Sequence, residues 1–315
     1  ARPRPPALLY LQTASFPAFW MAAGSEGVQP VRDRMFPRWG AALFALLPIS
    51  EILYTPVTGQ TVYAAALASL ICALACAGAA RIAPHWQGYR VLQWLLALLA
   101  IWPLCRSLAR MGIFLQQTVF GKRPLCSLLL LLAVCTLLAA STGLNRCAMW
   151  ALPVAWLTGT VIALSGVLTM TQLNLSYWQA PGASLPSQTL DILRSLLPAA
   201  LVIALSLPDG LAGSASRGMA AGGALFALIS LRAALVLGVH TAALLPYPNF
   251  SAAGLAAIGD FARHGEVFFA VPLLLCELGR CAALACVLLL PVTRTYGVPR
   301  LKPRLSDRNK QRKPR

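Results

Sequence analysis

Pro48-Ile-Ser-Glu-Ile-Leu-Tyr-Thr-Pro56 interrupts the first long apolar run of the chain with two prolines and a carboxylate. Each proline removes a backbone donor and crowds the preceding helical turn, so the helix is expected to break here. Hydrocarbon supplies no water to a broken backbone or to Glu51, and both are tolerated only against protein or a water-filled cavity. The segment is therefore a candidate site for a small polar ligand, provided that the chain around it is a membrane domain.

The flanking sequence supports that condition. Apolar residues come in runs of 17 to 28 rather than in amphipathic stripes, and eight spans are expected at 38–58, 61–81, 91–118, 125–141, 147–170, 190–212, 218–245 and 267–291. The fold class read from this pattern is all-α, a polytopic transmembrane helix bundle. A strand barrel is excluded because period-two alternation is missing.

Charge placement sets a topology. With the N-terminus in the cytoplasm, 18 of the 26 Lys/Arg face inward and only Lys122, Arg123, Arg194 and Arg263 face outward, so both termini are expected inside. The net charge of +17 thus reports orientation. No aromatic or glycine pattern accompanies it, so no nucleic-acid partner is read. Three regions follow: a poorly ordered extension over 1–37, a helical domain over 38–291, and a basic cytoplasmic tail over 292–315 that lies near anionic headgroups of the membrane lipids. Within the first region, Met35 is expected to be the natural start. The outer loop 246–266 is expected to hold a short interfacial helix through Leu255, Ile258 and Phe261.

Nine cysteines fall in or at the edge of apolar spans, where they act as small hydrophobes, and no Cys/His spacing points to a metal. No nucleophile motif or phosphate loop stands out either, so no catalytic residue, enzyme activity or cofactor is read. What remains is buried charge: Glu51 in the first span, Arg106 and Arg110 in the third, Arg232 in the seventh, Glu277 and Arg280 in the eighth. Glu277 has two available roles. It forms a register-fixing salt bridge with Arg232, Arg106 or, one turn away, Arg280, or it lines a ligand cavity. Pro198 and Ser206-Leu-Pro-Asp-Gly210 mark a second interruption, in the sixth span. Gly218, Gly222 and Gly223 are expected to allow close helix packing.

The order of these features resembles the permease-like B subunit of bacterial spore germinant receptors, in the amino acid/polyamine/organocation transporter superfamily. The resemblance rests on the broken first span with Leu53-Tyr-Thr-Pro56, on Thr142-Gly-Leu-Asn-Arg146 with Ala151-Leu-Pro153, and on Tyr247-Pro-Asn-Phe250 through Asp260-Phe-Ala-Arg263-His-Gly-Glu266. It implies a transporter-type inverted-repeat fold, here lacking the last two of ten helices, in the spore inner membrane. A larger membrane A subunit and a lipoprotein C subunit are the implied partners, and a germinant such as an amino acid is the implied ligand. Carried onto this chain, the ligand-facing candidates are Ser50, Glu51, Tyr54 and Thr55 on the first helix and Ser206, Asp209 and Gly210 on the sixth. Glu277 joins them on its depth alone, and Arg106, Arg232 and Arg280 form the expected buried charge network. Ser50 and Glu51 stand where the family commonly has glycines. A secondary transporter of amino acids or polyamines is the alternative.

The topology is testable. A fluorescent reporter that folds only in the cytoplasm, fused after Arg315, is expected to fluoresce, and a reporter active only outside is expected to be silent.

Overall fold

The computed structural model describes residues 37–86, 89–121, 123–177, 185–207, 212–255 and 265–295. Expectations for Met35, the N-terminal extension, the tail beyond Thr295, Asp209, Gly210 and Asp260–His264 fall outside them. Among the described residues the regular structure is helical. The helices are α1 Pro37–Glu51, α2 Thr61–Trp86, α3 Arg90–Leu115, α4 Leu125–Ser141, α5 Leu144–Leu168, α6 Leu185–Ser206, α7 Ala212–Leu237, α8 Val239–Leu244, α9 Pro248–Gly254 and α10 Gly265–Thr295.

Six of these are long and apolar enough to cross a membrane: α2, α3 with its π-turn continuation Gln116–Phe120, α5, α6, α7 and α10. α4 has 17 residues and α1 has 15. Large apolar side chains such as Leu74, Leu98, Trp102, Leu130, Leu138, Trp156 and Phe268 point outward. So many exposed large apolar side chains are unfavourable in water and match a lipid-facing surface, which with the six long apolar helices marks an integral membrane bundle.

The expected 21-residue first span is shorter in the structure. α1 runs through Pro48 and ends at Glu51, and a turn over Ile52–Tyr54 leads into irregular chain up to Thr61. Pro48 is absorbed because one missing donor orphans one carbonyl while proline's fixed φ is already helical. The seventh span also divides, at Gly238, whose φ of +78° only glycine adopts without strain. Gly143, at φ +90°, similarly allows a two-residue connection between α4 and α5. In the 246–266 loop, α9 ends before Leu255, and Ile258 and Phe261 lie outside the described residues.

α1 is the central element. Its residues from Leu46 to Glu51 are all buried, and it packs against α5, α6, α7 and α10. α10 is the second hub and contacts α1, α3, α4, α5 and α6. Close approach of α7 depends on absent side chains. A Cβ on Gly218 would strike the Ala41 carbonyl, one on Gly222 would strike the Ala45 carbonyl and Pro48, and one on Gly223 would strike Ser69 of α2. The packing role expected of these glycines is therefore seen directly.

Gly222→Ala is expected to force α7 away from α1 and to destabilise the fold by about 1–3 kcal/mol or more, since the obstacle is backbone. Gly78→Ala, with open space around its Cβ, is the matched control. Thermal unfolding of the purified protein in detergent should show a lower midpoint for the first variant and none of that loss for the second.

Candidate functional site

Where α1 stops, its last residue becomes the centre of a charge cluster. Glu51 Oε2 accepts from Arg110 Nη1 of α3 at 2.8 Å, and Oε1 accepts from Arg280 Nη1 of α10 and from the Ser195 hydroxyl of α6. The arginines are themselves held. Arg280 Nη2 donates to the Ser195 carbonyl at 2.8 Å, and Arg110 Nη2 donates to the Ser195 hydroxyl at 3.0 Å. Four helices thus meet at one carboxylate. In an apolar interior this arrangement is what makes a buried charge tolerable, because the attraction and the hydrogen bonds together offset the cost of desolvation.

Glu277 lies one turn before Arg280, and its Oε2 is 3.8 Å from Arg280 Nη1. That distance is an ion pair without a hydrogen bond, and neither carboxylate oxygen of Glu277 has a hydrogen-bond partner. Two carboxylates and two guanidiniums balance in number, but Glu51 takes nearly all of the hydrogen bonding. The Tyr54 hydroxyl and Asn249 Oδ1 are also buried without partners. The Arg110 side chain is 22% exposed, against 2% or less for Glu51, Arg280 and Glu277. Arg110 is thus the most exposed member of the cluster, and the Tyr54 ring lies 5.4 Å from its guanidinium.

Proline chemistry places several of the surrounding contacts. Pro56 has no N–H for the carbonyl of Ile52, four residues back, and Asn249 Nδ2 of α9 donates to that carbonyl at 2.6 Å. Pro198 likewise leaves the Arg194 carbonyl free within α6, and Arg106 Nη1 reaches it at 3.3 Å. α9 is held over the break by aromatic edges as well: Phe114 meets Tyr54, Tyr247 and Phe250 at centroid separations of 6.3, 4.9 and 5.5 Å, all nearly perpendicular. Tyr247 also donates from its hydroxyl to Gln117 Oε1 at 2.8 Å.

The expected residues sort accordingly. Glu51, Ser50, Tyr54, Glu277 and Arg280 are brought together; the Ser50 hydroxyl donates to Leu47 O at 2.8 Å and lies 3.5 Å from Arg280 Nη1. Thr55 closes the helix end by donating to the Glu51 carbonyl at 2.9 Å. Ser206 is not in the cluster. It bonds the Ile203 carbonyl, and it lies roughly 16 Å along α6 from Ser195 at 1.5 Å per residue. Arg106 touches the cluster's edge through Arg194, and Arg232 sits elsewhere. The Glu277 pairing with Arg232 or Arg106 gives way to Arg280, whose position one turn along the same helix needs no tertiary contact.

Arg110 was visible in the sequence as a charge inside the third span but stood outside the expected network of Arg106, Arg232 and Arg280, whereas Ser195 and Asn249 carried no signal except the prolines that free nearby carbonyls. No protein-family model matches the chain, and no curated protein matches it either.

Breaking the cluster from one side should be costly. Glu51→Gln leaves two guanidiniums facing a neutral amide, and a loss of roughly 3–5 kcal/mol is expected. Removing Arg110 together with Glu51, as Glu51→Gln with Arg110→Gln, leaves Arg280 paired with Glu277 and should recover much of it. Unfolding midpoints of the single and double variants check this, and strictly additive losses would disprove the coupling.

Proposed function

We propose that the chain is a permease-like membrane subunit that senses a small molecule of the amino-acid type at the broken helix α1. The observation that carries this reading is a Glu51 carboxylate saturated by two arginines at a helix end, beside a Glu277 carboxylate with no hydrogen-bond partner. A ligand carboxylate competes with Glu51 for the guanidiniums, and a ligand ammonium completes Glu277. An amino acid carries both groups. Its binding exchanges internal pairs for ligand pairs and loosens the tie between α1 and helices α3, α6 and α10. A ligand shifts a conformational equilibrium only through such differential contacts.

The finer parts of the reading rest on the resemblance to spore germinant receptor B subunits. These are eight spans with α1 and α4 counted, termini in the cytoplasm, the spore inner membrane, and association with an A subunit and a lipoprotein C subunit. In this proposal α6 contributes through Ser195, beside its Pro198. A second reading, a secondary transporter of amino acids or polyamines, is favoured by the same Glu277 carboxylate without a hydrogen bond, which suits a coupling cation or proton.

Ligand-induced thermal stabilisation separates these readings from a purely structural cluster. Screening the purified full chain against amino acids and polyamines is expected to give at least one stabilising compound, and Glu277→Gln should weaken its apparent affinity about tenfold or more. If no compound stabilises the protein, or if Glu277→Gln leaves the response unchanged, the site assignment fails. Uptake of the stabilising compound into proteoliposomes would select the transporter reading over the sensor.

A further inference from the structure

Arg232 carries a charge that the cluster at Glu51 does not use. It lies on α7, five residues before the helix ends at Leu237 and so roughly 8 Å from that end at 1.5 Å per residue. The residue is only 8% exposed. Its Nη1 donates to the Ser165 hydroxyl of α5, and its guanidinium lies over the Phe269 ring of α10, 5.3 Å from the centroid. Nε and Nη2 have no hydrogen-bond partner, and among the described residues no carboxylate pairs with this arginine. These two N–H groups form the edge of the guanidinium that binds a carboxylate or phosphate in a bidentate manner. A guanidinium left half-bonded in an apolar interior is unfavourable, and an anion would offset that cost.

The surroundings point to the kind of anion. Arg232 lines a cavity of about 290 Å³ between α5 and α7, whose other walls are apolar and include Ile162, Gly166, Val167, Met170 and Leu228. Val167, Met170 and Leu228 are also exposed on the outer apolar surface. The cleft therefore opens toward lipid. An occupant must present an acyl chain to these walls and a negative head to Arg232, which lies one to two turns from the helix end.

We propose that this cleft binds an anionic phospholipid, with one acyl chain along the α5–α7 groove and the phosphate accepting from Arg232 Nε and Nη2. Both nitrogens are covered in the structure, so binding includes a turn of the long Arg232 side chain into the cleft it lines, as arginines near helix ends do when they reach for headgroups. The site is independent of the ligand reading at Glu51.

Native mass spectrometry of the full chain, exchanged from detergent into mixed phosphatidylglycerol and phosphatidylcholine, tests this. The wild type is expected to retain phosphatidylglycerol about tenfold more tightly than phosphatidylcholine, the scale of one charge-assisted bidentate contact. Arg232→Gln should abolish the preference, and Arg232→Lys, a point charge without the fork, should keep part of it. Gly166→Leu decides the matter if Arg232→Gln does not fold. It fills the cleft from a position whose Cβ meets nothing within 4 Å, leaves Arg232 intact, and should weaken retention of both lipids. Equal retention of the two lipids by the wild type, unchanged preference in a folded Arg232→Gln, or undiminished retention in Gly166→Leu overturns the proposal. So does displacement of phosphatidylglycerol by inorganic phosphate alone.

Discussion

A carboxylate at the end of a buried helix has to be neutralised where it stands, and much of this bundle is arranged around that requirement. Glu51 closes α1, which is buried on all sides through its last turns, so no rotamer takes the group to water. Its charge is met by Arg110 and Arg280 and its remaining lone pairs by Ser195. Because these come from α3, α10 and α6, satisfying one side chain fixes the positions of four helices relative to one another. An apolar seam of the same extent would permit small slides and rotations, since lipid-like side chains exchange contacts at little cost. Directional hydrogen bonds to a single carboxylate do not.

The prolines are accommodated in two ways. Pro48 is carried inside α1, next to Gly222, whose missing side chain allows α7 to lie against the proline ring. Pro56 and Pro198 each deprive a carbonyl four residues earlier, and in both cases a side chain from another element supplies the donor: Asn249 for Ile52, Arg106 for Arg194. Where water is absent, every broken helical bond must find a protein partner. The α9 segment is thereby drawn over the break and held by the Phe114 ring contacts.

Buried arginines in this chain fall into two states. Arg280 spends both terminal nitrogens on α1 and α6, and its charge is matched. Arg232 spends one nitrogen on a hydroxyl and faces an aromatic ring, in a cleft that opens onto the lipid-facing surface. One is locked by its fold, and the other is left for something outside it. Glu277 is the acidic counterpart of the second kind, held beside Arg280 by helical spacing yet without a hydrogen bond.

Composition and run length alone determine that this is an all-helical chain with membrane-length spans, because a 20-residue apolar run has no other way to satisfy its backbone in lipid. The spacing of Pro48, Glu51 and Pro56 likewise determines that the first span breaks and that a charge lies at the break. Helix–helix contact through Gly218, Gly222 and Gly223 was legible for the same reason, as small residues have few other uses in such runs. Tertiary structure decided the rest: that the break starts after Glu51, that Arg110 and Arg280 are the partners, that Ser195 rather than Ser206 closes the cluster, and that Asn249 repairs the broken turn. None of these could be read in advance. Which side chains meet across a bundle depends on the azimuth and depth of each helix, quantities set by packing between segments far apart in sequence and not by the residues of any one of them.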